Sequence, residues 1–174
     1  MTTVGRLADR AVELGIDVVA GPGKDELRDQ PLSYYGHDPA GALLDMMEAW
    51  GAGVRVHPEV DSLLSGYRDL FDRFTAASGG TVTIGDVELL DHAGGERIRM
   101  LVNGDELVWH LEHRSDRYLD TLMVSEIAGR LRPRDDTDPR VFVEVVDDGD
   151  GSGFVFADPA ALSILLGELG IERA

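Results

Sequence analysis

Apolar residues recur at helical spacing over residues 3 to 14, where Val4, Leu7, Ala8, Ala11, Val12 and Leu14 share one side and the run stops at Gly15 with Ile16 behind it. A glycine just past a helix end with an apolar residue after it suits a left-handed C-terminal cap, so the segment predicts a helix. Ile16 to Ala20 predicts a short strand, and residues 21 to 36, with Pro22, Gly23 and Pro31 and no period, predict a loop. A second helix is expected to open at Asp38-Pro39, an acid at the cap and proline at the first helical position, and to bury Leu43, Leu44, Met47 and Trp50 before Gly51. The third is the clearest: after Pro58, residues Val60, Leu63, Leu64, Tyr67, Leu70, Phe71 and Phe74 recur at steps of three and four up to Ser78-Gly79-Gly80.

Beyond residue 80 the period changes to two. Residues 81 to 91, 95 to 103 and 106 to 112 predict three strands, with Gly94-Gly95 at the first bend and Asn103-Gly104, a strong hairpin signal, at the second. In the third strand Leu107, Trp109 and Leu111 fall on one face, expected to be core, and Val108, His110 and Glu112 on the wetter one. Ser115 or Asp116 is the expected cap of a helix with Leu119, Leu122, Met123 and Ile127 on its inner side, stopped by Arg132-Pro133. Residues 140 to 147 and 153 to 157 predict a second hairpin, and Asp158-Pro159 opens a last helix carrying Leu162, Leu165, Leu166 and Leu169. The similar helix starts at Asp38 and Asp158 are shared cap chemistry, and no internal repeat accompanies them. These elements predict a single α+β domain over 1 to 174: a helical part, 1 to 79, and then an antiparallel sheet of about five strands, 80 to 174, in the order β-β-β-α-β-β-α with helices on one face.

Composition narrows the function classes. The 174 residues are 43% hydrophobic and 28% charged, ordinary for a folded domain. Acidic residues number 33 against 16 basic ones, and a net charge of −17 repels nucleic-acid backbones and anionic lipid, so neither is an expected partner. No apolar run approaches the roughly 18 residues of a spanning helix, and the first residues lack the apolar centre of a signal peptide, so a cytoplasmic location is expected. The chain has no cysteine, which excludes disulfides, thiolate zinc sites and cysteine nucleophiles. Lys24 is the single lysine beside 15 arginines, a bias that fits a GC-rich genome or a salt-adapted organism; in the second case the acidity would serve solvation.

Chemistry-bearing patterns are few. Asp148, Asp150, Ser152 and Gly153 follow the first half of a calcium loop, but the twelfth position is Pro159 instead of a bidentate glutamate and strands flank the segment, so a solvated hairpin tip is expected. His110 and His113 lie three apart and would face opposite sides of a strand, leaving His110 with Glu112 and, by hairpin pairing, Asp91 or His92 as ligand candidates; no metal or cofactor is expected. Gly21-Pro22-Gly23-Lys24-Asp25 lacks the spacing of a phosphate loop. Tyr34, Tyr35 and His37 stand ahead of a helix N-terminus and, with His110 and Glu112, are the candidate lining of a pocket. Two acidic clusters, Asp135, Asp136 and Asp138 and then Asp147, Asp148 and Asp150, bracket the strand from 140 to 147, about 20 Å apart at strand rise.

The layout of Val108-Trp109-His110-Leu111-Glu112, the helix from Tyr118 to Leu131, and the segment from Val141 to Asp158 resembles that of small bacterial toxin-immunity-type proteins, over about the last two thirds of the chain. The resemblance implies a noncatalytic protein that occupies a basic surface of a protein partner, with the two aspartate clusters as its contacts, and no catalytic residue is assigned. The alternative is a small enzyme or ligand-binding domain with its pocket between the helical part and the sheet. A third reading is an accessory subunit whose leftover apolar residues face a partner or a second copy.

Overall fold

The computed structural model describes residues 3–17, 28–35, 38–92, 95–112, 116–146 and 152–171, which divide into two compact units, one of residues 1–55 and 139–174 and one of 56–138.

In the first unit local capping sets the helix ends. Thr3 accepts from the Arg6 amide at the start of α1 (Val4–Glu13). Asp38 accepts from the Ala40 and Gly41 amides, at 3.2 and 2.8 Å, at the start of α2 (Pro39–Ala49). The segment expected to be a featureless loop holds a 3-10 turn, Leu32–Tyr34, that buries Leu32, and Pro31 pairs with Thr3. Ile16 and Asp17 form no strand, and residues 18–20 of that expected strand lie outside the described residues. After α2 the chain turns at Gly51 into β1 (Gly53–Val56), a strand not expected between the second and third helices.

β1 completes a sheet with the C-terminal hairpin, β5 (Val141–Val146) and β6 (Ser152–Ala157), in the order β1-β6-β5. Gly153 is where β6 closes on its neighbours, since a Cβ there would lie 2.7 Å from Leu44 and 2.9 Å from the Val54 carbonyl. With Phe156 N–H donating to Ala52, β1 and β6 run in opposite directions. The last helix, α5 (Pro159–Leu169), is capped by Asp158, which accepts from Ala160 at 2.7 Å. Leu7, Leu43, Met47, Leu162 and Leu166 form one apolar cluster with Val145, Val155 and Ala157 of the sheet.

The second unit holds α3 (Leu63–Ala77), β2 (Ile84–His92), β3 (Gly95–Val102), β4 (Asp105–His110) and α4 (Thr121–Ala128), with sheet order β2-β3-β4, antiparallel throughout. Asn103 and Gly104 both take positive φ, 55° and 97°, the requirement of a two-residue hairpin turn. Along β4 the expected alternation holds: Leu107 and Trp109 are half-buried and Leu111 buried, while Val108, His110 and Glu112 are exposed.

The expected five-stranded sheet is therefore replaced by two three-stranded sheets, and the order of elements differs because β1 intervenes between α2 and α3. The physical reason is that four residues of β1 are too few to show a period of two, yet they supply the edge that the β5–β6 hairpin pairs with. Two helix starts also shift. α3 begins at Leu63, not directly after Pro58, because residues 58–60 pair with 117–119: Val60 N–H donates to Arg117 and Leu119 N–H to Pro58, both at 2.8 Å. α4 is capped by Asp120, which accepts from Met123 at 3.0 Å, in place of Ser115 or Asp116. Along α4 Met123, Val124, Ile127 and Ala128 are buried and Leu122, expected inside, is 78% exposed.

Candidate functional site

Of the residues that sequence reading singled out, some lie in the first unit, some in the second and some outside the described residues. Asp135 accepts from the Thr137 hydroxyl at 2.7 Å and from its amide at 2.9 Å, bonds that hold its carboxyl below the ordinary range against desolvation and the like charge of Asp138. Asp136 is exposed, and the Asp138 amide donates to the Asp135 carbonyl at 3.0 Å. This cluster is a turn that satisfies its own backbone. Asp147, Asp148 and Asp150 lie outside the described residues, as do His37, His113 and Gly21 to Asp25. Tyr34 is 74% exposed and meets Tyr35 edge to face at 5.5 Å, while the Tyr35 hydroxyl lies 3.4 Å from Gln30. Both tyrosines belong to the first unit, and His110 and Glu112 to the second.

His110 stands opposite Arg97 on β3, and Leu90 on β2 stands opposite Arg97 in turn, so β3 separates His110 from the Asp91 and His92 expected to pair with it. The Glu112 amide donates to Asp120 at 2.8 Å. Among the described residues no three histidine, aspartate or glutamate side chains come together to hold a metal ion. Nor is any helix among them long and apolar enough to cross a membrane.

A concave surface lies in the second unit, where the 58–60 segment, the first turns of α3 and the 117–119 segment meet. Gly66 makes this arrangement possible: a Cβ on it would stand 2.7 Å from Val60, so only glycine lets the extended segment lie against the helix. Below the groove Tyr67 is fully buried, and its hydroxyl accepts from the Asp120 amide at 2.9 Å. Burial pushes that phenol far above its ordinary range, so it stays neutral.

The groove encloses about 500 Å³ and presents Glu59, Asp61, Ser65 and Asp69, all exposed, with Arg117 3.7 Å from Glu59 and 4.0 Å from Asp61. An adjoining hollow of about 330 Å³ continues it past His57 and Arg73 to Leu119, with Arg73 bridged to Asp69 at 3.2 Å. An apolar ring stands beside it in the open, Tyr118, 46% exposed and paired with Glu59 across the bridge; Leu122, in the first turn of α4, is exposed as well. Carboxylates outnumber arginines here, and exposed ion pairs in water hold little energy, so these groups can exchange partners readily. What the surface offers chemically is an apolar anchor point with a mainly anionic rim, the composition of an interaction surface.

None of these groove residues was singled out from sequence as a site. Pro58 to Asp61 carried a period that continued into the helix, and Tyr118 and Leu122 fell inside an expected helix. The available signal was Ser62, a good cap residue five places before Tyr67, which would have started α3 later and left Glu59 and Asp61 outside it.

The chain matches no family model, no curated protein and no solved structure.

Proposed function

We propose that the chain is a noncatalytic acidic binding protein, of immunity or inhibitor type, that occupies a basic surface of a protein partner in the cytoplasm. The observation that carries this reading is the groove of the second unit, where exposed Tyr118 is paired with Glu59 beside Asp61 and Asp69. A partner bearing arginine or lysine side chains around an apolar patch is complementary to that arrangement in both charge and polarity. The net charge of −17, shared nearly evenly by the two units, would steer such a partner from a distance.

The test uses an arginine-rich peptide carrying one tryptophan, with association and dissociation rates followed as ionic strength rises. The association rate is expected to fall with salt, and to fall again in the triple variant Glu59→Gln, Asp61→Asn, Asp69→Asn. Tyr118→Ala and Leu122→Ala should act on dissociation, because short-range contacts set residence time. Neutralising Asp135, Asp136 and Asp138 together with Asp147, Asp148 and Asp150 separates the loop clusters from the groove. Binding that is insensitive to salt and to all of these variants overturns the reading.

A further inference from the structure

We propose that the outer edge of β4 is a self-association surface, on which a second copy of this chain lays its own β4 antiparallel about a twofold axis at Val108.

The two edges of the β2-β3-β4 sheet are finished differently. At β2 the register shifts between Gly85 and Glu88, Asp86 takes a positive φ of 51°, and Arg68 of α3 donates to the Val87 carbonyl at 3.1 Å. A bulge and a side chain bound to the backbone are ordinary devices for closing an edge. β4 has neither. Its six residues pair with β3 in unbroken register and include no proline and no lysine.

The direction of its backbone groups follows from the ladder. Leu111 N–H donates to the Glu96 carbonyl at 3.0 Å, and antiparallel pairs alternate, so Asp105, Leu107 and Trp109 bond inward to β3. Glu106, Val108 and His110 therefore turn their amides and carbonyls outward. Among the described residues none of these three makes a backbone hydrogen bond outside the sheet. Their side chains are exposed as well, Val108 at 44%.

The occupant is chosen by complementarity. Pairing about Val108 sets Glu106 opposite the partner's His110 twice, Val108 opposite its own copy, and Leu107 opposite the partner's Trp109. A twofold centred on Glu106 would oppose two glutamates, and one centred on Trp109 would oppose Glu106 to Glu112. Arg97 adds an independent argument. It stands beside His110 on the same sheet face, its Nε is buried without a hydrogen-bond partner, and it makes no ion pair among the described residues, although carboxylates outnumber basic residues two to one. The partner's Glu106, which in its own chain makes an exposed ion pair with Arg99 at 3.3 Å and would exchange it, would arrive two strand spacings away, about 4.8 Å each, within reach of both long side chains. The second copy thus brings a carboxylate to an arginine that lacks one.

Sedimentation at about 0.15 M salt, where the Debye length of about 8 Å screens the repulsion between two acidic chains, tests the proposal. The wild type is expected to sediment at twice its 18.9 kDa. Val108→Pro removes an outward donor at a position where an edge strand tolerates proline, and should give the monomer. His110→Glu opposes glutamates twice and should raise the dissociation constant about tenfold. The double variant Glu106→Lys, His110→Glu restores opposite charges and should recover the dimer, which damage to the fold would not allow; circular dichroism confirms that each variant is folded. A wild type that stays at 18.9 kDa at every concentration, a dimer indifferent to Val108→Pro and His110→Glu, or a double variant no better than His110→Glu overturns it.

Discussion

Both units bury an apolar core, and they differ in the polar contacts that accompany it. In the first, chain segments far apart in sequence are held by an apolar cluster that runs from α1 and α2 to α5 and the β5–β6 hairpin, and the polar contact between α1 and α5, Arg10 with Glu168, is exposed. In the second, Leu70, Phe71, Phe74, Ile98, Met100 and Ile127 are buried, and single polar side chains in addition tie segments together. Asp120 caps α4, accepts from Glu112 and donates its amide to buried Tyr67. Asn103 accepts from Thr83 and donates to the Arg132 carbonyl, both at 2.9 Å. Buried Ser78 accepts from the Val82 amide at 3.1 Å. Burial of apolar area is non-directional and tolerates a chain that returns from elsewhere, whereas hydrogen bonds fix where particular loops cross.

Each unit has its own tryptophan, buried Trp50 in the first and Trp109, under Arg130 at 4.5 Å, in the second. Variants Trp109→Phe and Trp50→Phe therefore let fluorescence follow the units separately. The largest loss is expected for Leu43→Ala, fully buried in the first unit's cluster, at about 2–5 kcal/mol in denaturant titrations of the Trp109→Phe background. If Trp109 reports as large a loss as Trp50, the contrast between the units is wrong. Asp120→Ala comes next. It should cost about 1–3 kcal/mol and be seen by Trp109, since it removes a cap and the acceptor for Glu112 at the end of β4.

Smaller again is Asp158→Ala, about 1 kcal/mol, because it strips two amides of their acceptor while α5 keeps its apolar packing; the Trp50 transition midpoint should report it. The smallest effect belongs to Arg10 and Glu168. The arginine's hydrogen bonds hold the Glu168 carboxyl below its ordinary value, so the contribution is present above that value and lost as pH falls through the lowered one. Transition midpoints measured downward from about pH 5 should drop less steeply in Glu168→Gln than in the wild type, and added salt should shrink the difference.

The α+β class was legible because period and caps are local. The Asp-Pro starts of α2 and α5, the glycine after α1 and the Asn103-Gly104 turn act within a few residues, and each is used as its chemistry dictates. The candidate groove was not legible. Glu59 and Asp61 are set outside α3 by pairing with a segment almost sixty residues away, and the same pairing sets Tyr118 opposite Glu59.

What the sequence by itself determined is therefore the kind and approximate place of most elements, the absence of thiol chemistry and the sign of the charge, since these depend on neighbours along the chain or on composition. Only the tertiary structure decided that the six strands among the described residues form two sheets, that β1 joins the C-terminal hairpin, and which acids line the groove. Strand partners are chosen by hydrogen bonding and packing between residues remote in sequence, and a four-residue strand carries no periodic signal of the partner it will find.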